Sequence, residues 1–370
     1  MSVDFEFMLG ALALAREGVG LTAPNPAVGC IIVNGTEPVG FGSHTWDGVK
    51  HAEVLALEQA GPLARGATAY VTLEPCAHTG RTAPCCDALI AAGLARVVYA
   101  SNDPNPAVSG EGLRRMRAAG IVVEQSKEFQ AEADKINEGF FHFIRTRRPL
   151  VTLKCAMTLD GKISAPEDNT GWITSERARA HVQTLRHATD AMITGIGTVL
   201  ADDPLMTDRS GLPRVRPLLR VVLDSTLRIR LDSKMVQTSQ PGDLMIVTTS
   251  AASCDRRAAL EKRGVEVRSF DGRKGRVDIR DVVSLLGERR CLNAMIEAGS
   301  KLNWAALEAG AVDKVFLYYA PKILGGLASL PMAGGTGRLR RMDAIVLERT
   351  TIHSIPPDEF AVEAFLRKDR

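Results

Sequence analysis

His51-Ala52-Glu53 and, downstream, Glu74-Pro75-Cys76-Ala77-His78-Thr79-Gly80-Arg81-Thr82-Ala83-Pro84-Cys85-Cys86 are the most informative stretches of this chain. Imidazole and thiolate are borderline-soft donors that suit tetrahedral Zn²⁺, and three of them leave a fourth position open. A carboxylate two residues beyond the histidine, at the start of a helix, has the reach to move a proton at that open position. Singly these pieces are weak, because His-x-Glu arises by chance and a buried cysteine is more often packing than a ligand. Together, in this order and with a proline before each of two cysteines, they read as a Zn²⁺ site of His51, Cys76 and Cys85, with Glu53 as its acid–base group. Spacing alone leaves Cys86 open as a ligand, and Cys85 is preferred because it follows the proline. Cys30, Cys155, Cys254 and Cys291 have no such context and read as core thiols.

Around this site the chain alternates strands and helices. Val28–Val33 is a β-branched run ending at Asn34-Gly35, a hairpin-turn dipeptide. Ala52–Ala60 is helical in composition and stops at Gly61-Pro62. Ala69–Leu73, Arg96–Ala100 and Ile121–Glu124 read as strands, with helices at Asp87–Ala92 and Leu113–Ala119 between them. A helical pattern over Glu132–Ile144 runs into Arg145-Thr146-Arg147-Arg148-Pro149, and a new β run starts at Leu150. The domain boundary falls there, giving domains 1–148 and 149–370. The second domain continues with strands at 191–194, 219–223, 244–248, 265–267, 291–297 and 314–320, and helices at 177–185, 256–263 and 304–308. This order predicts α/β architecture in both domains.

Length and composition agree with that division. At 370 residues, 45% hydrophobic and 24% charged, the chain fits two globular domains and not a disordered or fibrous one. The net charge of +3 is too small for a nucleic-acid coat or a polybasic membrane binder. It divides unevenly, with 13 basic and 16 acidic residues in 1–149 against 33 and 27 in 150–370, and a basic second domain suits phosphorylated ligands. Seven cysteines, an odd number, argue against a disulfide framework and for a reducing, cytoplasmic setting. The N-terminus lacks a signal peptide's basic start, and the apolar run Phe7–Ala15 is too short to span a bilayer. No membrane partner is expected. Only four Tyr, eleven Phe and three Trp serve for base stacking, which disfavours an RNA-editing role and any nucleic-acid partner.

His51-x-Glu53 followed by Pro75-Cys76 fits the signature of zinc deaminases, except that the second cysteine lies nine positions after the first instead of three. Thr22-Ala-Pro-Asn-Pro-Ala-Val-Gly29, His51-Ala-Glu53 and the Glu74–Cys85 string resemble the deaminase half of the bifunctional riboflavin-biosynthesis deaminase/reductases. The resemblance implies a cytidine-deaminase-like α/β/α domain. It implies zinc on His51, Cys76 and Cys85, with Glu53 as proton shuttle. The reaction implied is removal of an exocyclic amine from a diaminopyrimidinone ribosyl 5′-phosphate. Asn25, His44, His78 and Arg81 then fall where the pyrimidine and its phosphate bind.

The second half contains no complete G-x-G-x-x-G, since Gly195-Ile-Gly197 is followed by Leu200 where the third glycine belongs. Glu297-Ala-Gly-Ser300, after a strand and opening a helix, is the best place for an anion. Leu153–Lys162, Gly171–Ser175, Asp190–Pro204 and Glu297–Ser300 resemble the reductase half of the same family, which is similar to dihydrofolate reductase in fold and uses NADPH. The resemblance sets Ala156, Trp172, Thr198, Asp202, Ser225, Gly299, Ser300, Lys301, Leu302, Asn303, Trp304 and Ala305 around the cofactor. Lys154, Thr170, Arg186, Met206, Arg209 and Glu297 fall on the substrate side, the arginines being suited to bidentate phosphate recognition. Thr170 stands where serine is expected, which keeps the hydroxyl. Lys154 and Asp202 read as members of a polar network beside the reduced carbon. The implied reaction carries hydride to the ribose C1′, making a ribityl chain. A homodimer or higher homo-oligomer is the corresponding expectation.

Overall fold

A computed structural model describes residues 3–44, 50–79, 83–105, 109–167, 170–272 and 275–368. The chain divides into two compact units, 1–147 with 213–216 and 148–212 with 217–370.

The first unit is a five-stranded sheet between two helical layers. Its strands are β1 (Gly29–Asn34), β2 (Glu37–Ser43), β3 (Thr68–Leu73), β4 (Arg96–Ser101) and β5 (Val122–Gln125), in the order β2-β1-β3-β4-β5. β1 runs antiparallel to β2 and β3, while β3, β4 and β5 are parallel. Side chains alternate across the sheet. Ile31, Val33, Tyr70 and Val98 meet Met8 and Leu12 of helix 3–17 on one face, and Cys30, Ile32, Val71 and Val97 meet helices 52–60, 85–91 and 111–118 on the other. The hairpin turn falls on Gly35-Thr36, with Asn34 paired to Glu37 and Gly35 at φ +65°. Two glycines of β2 set the height of helix 52–60: a Cβ at Gly42 would lie 1.9 Å from the Ala52 carbonyl oxygen, and one at Gly40 2.1 Å from that of Ala56. Only bare backbone admits the helix, and so its first residues, this close to the sheet.

The second unit is built on nine strands in one sheet. They are β6 (Leu150–Thr158), β8 (Ala191–Gly195), β9 (Leu219–Leu223), β10 (Leu244–Thr248), β11 (Glu266–Ser269), β12 (Asn293–Ile296), β13 (Lys314–Ala320), β15 (Leu347–Ile355) and β16 (Glu359–Leu366). Their order is β11-β10-β9-β8-β12-β6-β13-β16-β15, and a small ribbon pairs β7 (Lys162–Ser164) with β14 (Leu330–Pro331). The sheet is parallel from β11 through β13 and antiparallel at β13–β16–β15. Strand order reverses around β12, which lies between β8 and β6. The crevice beyond the carboxyl ends of such strands is where open α/β sheets bind ligands. Helices 279–288 and 300–308 cover one face; helices 176–187, 196–202 and 254–261 cover the other.

Three local expectations change. The helical pattern at 132–144 is two helices, 130–136 and 138–146, because Asn137 between them turns its side chain onto Ala27, accepting from its N–H and donating to its carbonyl, both at 2.8 Å. Cys254 is exposed and is no core thiol: Ser253 caps helix 254–261 through the Arg256 N–H and leaves Cys254 on the first turn facing solvent. The hairpin β15–β16 adds two strands beyond residue 320.

Candidate active sites

In the first unit, three separate segments bring the metal-type donors together. His51 precedes helix 52–60, Cys76 follows β3, and Cys85 opens helix 85–91. Their ligand atoms all lie within 4.8 Å of one another. His51 Nδ1 is 3.0 Å from Cys85 Sγ and 3.6 Å from Cys76 Sγ, and the Cys85 N–H donates to Cys76 Sγ at 3.3 Å. Hydrogen bonds from Cys85, then from His51, outweigh burial and bring the Cys76 thiol down to about 4, while the same contact raises Cys85. One nitrogen and two sulfurs, one sulfur poised as thiolate, is a donor set that fits Zn²⁺. Of the two adjacent cysteines, Cys85 joins this cluster. Cys86 turns into the hydrophobic core, where burial pushes its thiol up to about 11.

Glu53 sits in the first turn of helix 52–60 with 4% of its surface exposed. Burial, reinforced by the Cys76 sulfur, pushes its carboxyl up to about 7, a value suited to carrying protons both ways. His44 is buried, its ring edge-on to His51 at 5.3 Å. Its Nδ1 is 2.8 Å from the Lys50 carbonyl and its Nε2 3.2 Å from the Asn25 amide. Asn25 and His44 thus form one wall beside the donor cluster. His78 is exposed, two residues past Cys76, and Arg81 lies outside the described residues. Sequence reasoning missed two supports. Buried Glu74 accepts from the N–H groups of Asp103 (3.3 Å) and Gly110 (2.6 Å), tying that loop to the residue before Pro75-Cys76. Asn137 holds Ala27, two residues from Asn25.

In the second unit the expected substrate-side charges meet at the strand-order reversal. Glu297, directly after β12, accepts from Lys154 Nζ of β6 and from Arg186 Nη2 of helix 176–187, each at 2.9 Å. Burial would raise the Glu297 carboxyl, but Lys154 and Arg186 outweigh it and hold it at about 2. The Lys154 ammonium also lies 5.9 Å from the centre of the Tyr318 ring. Met206 is buried at φ +55°, and Arg209 is exposed. Gly299 precedes helix 300–308 and its carbonyl accepts from the Leu302 and Asn303 N–H groups, both at 3.1 Å, so only Ser300 and Lys301 present first-turn N–H groups with no acceptor within the helix. Ser300 and Asn303 point inward, and Ser300 Oγ, Asn303 Oδ1 and Trp304 Nε1 are buried without a hydrogen-bond partner among the described residues. A Cβ on Gly299 would come 3.6 Å from Thr198 Oγ1. Two backbone N–H donors and a buried hydroxyl at a helix start fit a phosphate-bearing ligand.

The remaining predicted residues are more dispersed. Leu302 packs toward Gly195, Lys301 and Ala305 are exposed, and Ala156 is half-buried in β6. Asp202 closes helix 196–202. The Ser225 hydroxyl accepts from the Val277 N–H at 3.2 Å, so it braces a turn. Thr170 and Trp172 are exposed, with the Arg179 guanidinium 4.8 Å over the Trp172 ring.

The two folds and sites define a zinc-type deaminase region joined to a separate reductase domain. Family models agree: residues 1–101 match the cytidine and deoxycytidylate deaminase zinc-binding region, and 149–358 match the RibD C-terminal domain. The riboflavin biosynthesis protein RibD of Actinobacillus pleuropneumoniae is 42% identical over 355 residues, covering 96% of this chain and 93% of the relative. A solved structure of Acinetobacter baumannii RibD covers 99% of both chains at 35% identity and TM-score 0.84. A Thermotoga maritima diaminohydroxyphosphoribosylaminopyrimidine deaminase/5-amino-6-(5-phosphoribosylamino)uracil reductase covers the same shares at 31% identity and TM-score 0.82. The chain belongs to the RibD family, the bifunctional deaminase/reductases of riboflavin biosynthesis. No helix among the described residues is long and apolar enough to cross a membrane.

Proposed function

We propose that domain 1–148 hydrolyses the exocyclic amine of 2,5-diamino-6-ribosylamino-4(3H)-pyrimidinone 5′-phosphate, and that domain 149–370 reduces the ribosyl chain of the product to ribityl with NADPH. The observation that carries the first step is the His51–Cys76–Cys85 cluster with Glu53 buried beside it. Zinc bound there supplies the Lewis acidity that makes a water nucleophilic near neutral pH. Glu53 accepts the proton of that water and returns it to the departing nitrogen. Burial and the Cys76 sulfur favour the protonated carboxyl while His51 and Cys85 favour the ionised one, and both forms are used in one turnover. Asn25, with its amide held by His44, orients the pyrimidine through a ring-edge hydrogen bond, His44 packs beside it, and His78 with Arg81 receives the phosphate.

In the second step the hydride for the ribose C1′, which the open-chain form exposes as an aldehyde or imine, would come from NADPH held in this domain. Gly299–Ala305 hold the cofactor's phosphates, with Ala156, Trp172, Thr198, Asp202 and Ser225 around the rest. Glu297 stays ionised at neutral pH, so it does not act as the acid. It orients Lys154 toward the reacting centre and Arg186 toward the substrate phosphate, which Arg209 shares. Thr170 and Met206 complete the substrate side. Lys154 and Asp202 supply the polar network that delivers a proton to the oxygen or nitrogen on C1′ as the carbon takes hydride. The enzyme is read as cytoplasmic and as a homodimer or higher homo-oligomer. The test of the deaminase half is Glu53→Gln: about one zinc per chain is retained, while ammonia release falls by about 10²–10⁴-fold. Ammonia released by that variant at the wild-type rate removes Glu53 from the mechanism.

A further inference from the structure

Helix 176–187 does more in its last turns than present Arg186. Gln183, Arg186 and His187 stand at i, i+3 and i+4, which places them on one face. Each reaches a different residue of the segment Met206–Arg209. Gln183 Oε1 accepts from the Arg209 N–H at 2.9 Å, Arg186 Nη1 donates to the Thr207 carbonyl at 3.0 Å, and His187 Nδ1 lies 3.0 Å from Asp208 Oδ2. The His187 and Asp208 side chains are 6% and 7% exposed, and the second Asp208 oxygen accepts from the Ser210 N–H at 2.9 Å. The segment opens on Met206, buried and at φ +55°, in the left-handed region that an unbranched L-residue occupies only when its surroundings over-determine it.

We infer that Gln183, His187 and Asp208 are positioning residues that lock segment 206–209 so that Arg209 faces the reductase substrate together with Arg186. The inference rests on the reductase reading above. None of the three needs to touch substrate. Gln183 fixes the backbone of Arg209, and the His187–Asp208 pair fixes the residue before it. Arg186 joins the same turn to Glu297, which also holds Lys154, so one helical turn ties segment 206–209 to the charged group at the end of β12. Released from this clamp, the backbone at Met206 relaxes toward negative φ and Arg209 is carried off its phosphate. Displacements of about 1 Å from remote changes are enough to cost activity heavily.

The experiment uses the full chain with Gln183→Met, His187→Ala and His187→Asn, the last keeping a side-chain N–H donor near the position of Nδ1. Initial rates are followed against the deaminated ribosyl phosphate and NADPH separately, with ammonia release from the first domain as the internal reference. Gln183→Met and His187→Ala are expected to raise KM for the ribosyl phosphate about tenfold, the mark of lost ground-state binding, with KM for NADPH and ammonia release at wild-type values. His187→Asn is expected to restore most of the loss. Unchanged KM in Gln183→Met and His187→Ala, or equal losses in His187→Ala and His187→Asn, overturns the clamp. If His187→Ala does not fold, the half-buried Gln183→Met carries the test. A wild-type chain that oxidises no NADPH with this substrate overturns the reductase reading itself, and the clamp with it.

Discussion

The two candidate sites are built by opposite strategies. The deaminase cluster gathers its donors from residues 51, 76 and 85, at two helix starts and one strand end, within 4.8 Å. The reductase cluster gathers Lys154, Arg186 and Glu297 from positions 143 and 111 residues apart. The first is held by short connections and by helix 52–60 pressed onto Gly40 and Gly42. The second depends on the whole parallel sheet bringing β6 beside β12 and helix 176–187 across them. A compact local site fails at a single ligand and leaves the fold alone. A distributed site is coupled to the stability of the domain that assembles it.

The largest expected effect breaks the local site alone. Cys85→Ser should abolish zinc retention and ammonia release, while NADPH oxidation on the deaminated substrate stays at the wild-type rate. Metal analysis and the two rates check this, and a parallel loss of both activities contradicts the separation. Next comes Glu297→Gln, which leaves Lys154 and Arg186 without the carboxylate charge they share. Breaking a buried ion pair typically costs about 3–5 kcal/mol, so this variant should lower the denaturation midpoint of the second domain as well as stop NADPH oxidation, with ammonia release intact.

The same carboxylate gives the second domain an acid limit. Its pKa is lowered from 4.5 to about 2, so its stabilisation is whole above the ordinary value and is lost as pH falls through the folded one. Between about pH 4.5 and pH 2 the stability gap between wild type and Glu297→Gln should close by up to about 3 kcal/mol, read from urea midpoints at each pH. The smallest effect sharpens the ligand assignment. Cys86→Ser puts a hydroxyl into the core at a cost of about 1–2 kcal/mol, with zinc and ammonia release retained.

The contrast also explains what was legible in the sequence. Chemistry packed into short spacings could be read directly: His51, Glu53, Cys76 and Cys85 announce themselves, and helix 52–60 has the bounds its composition indicates. Spacing alone left Cys85 and Cys86 open, because the choice depends on which face of helix 85–91 meets the core, and only the proline before Cys85 pointed to it. Supports such as Glu74, Asn137 and the Gln183–His187–Asp208 group were invisible for a related reason. Each acts on a partner far away in sequence, up to 110 residues for Asn137, and no local pattern encodes such a partner. The hairpin β15–β16 was missed because both of its strands alternate weakly and β15 is largely exposed. In the reductase half, charges could be assigned to the substrate side only through family resemblance, and their convergence on Glu297 needed the sheet order.

The central claim is that one chain performs deamination and then reduction at two independent sites. It is tested most directly by supplying the diaminopyrimidinone ribosyl phosphate with NADPH and following ammonia and NADPH absorbance together. The account predicts ammonia release first, then one NADPH oxidised per ammonia released, with Cys85→Ser blocking both until deaminated substrate is added. NADPH oxidation without ammonia release, or by Cys85→Ser on the unprocessed substrate, would contradict it.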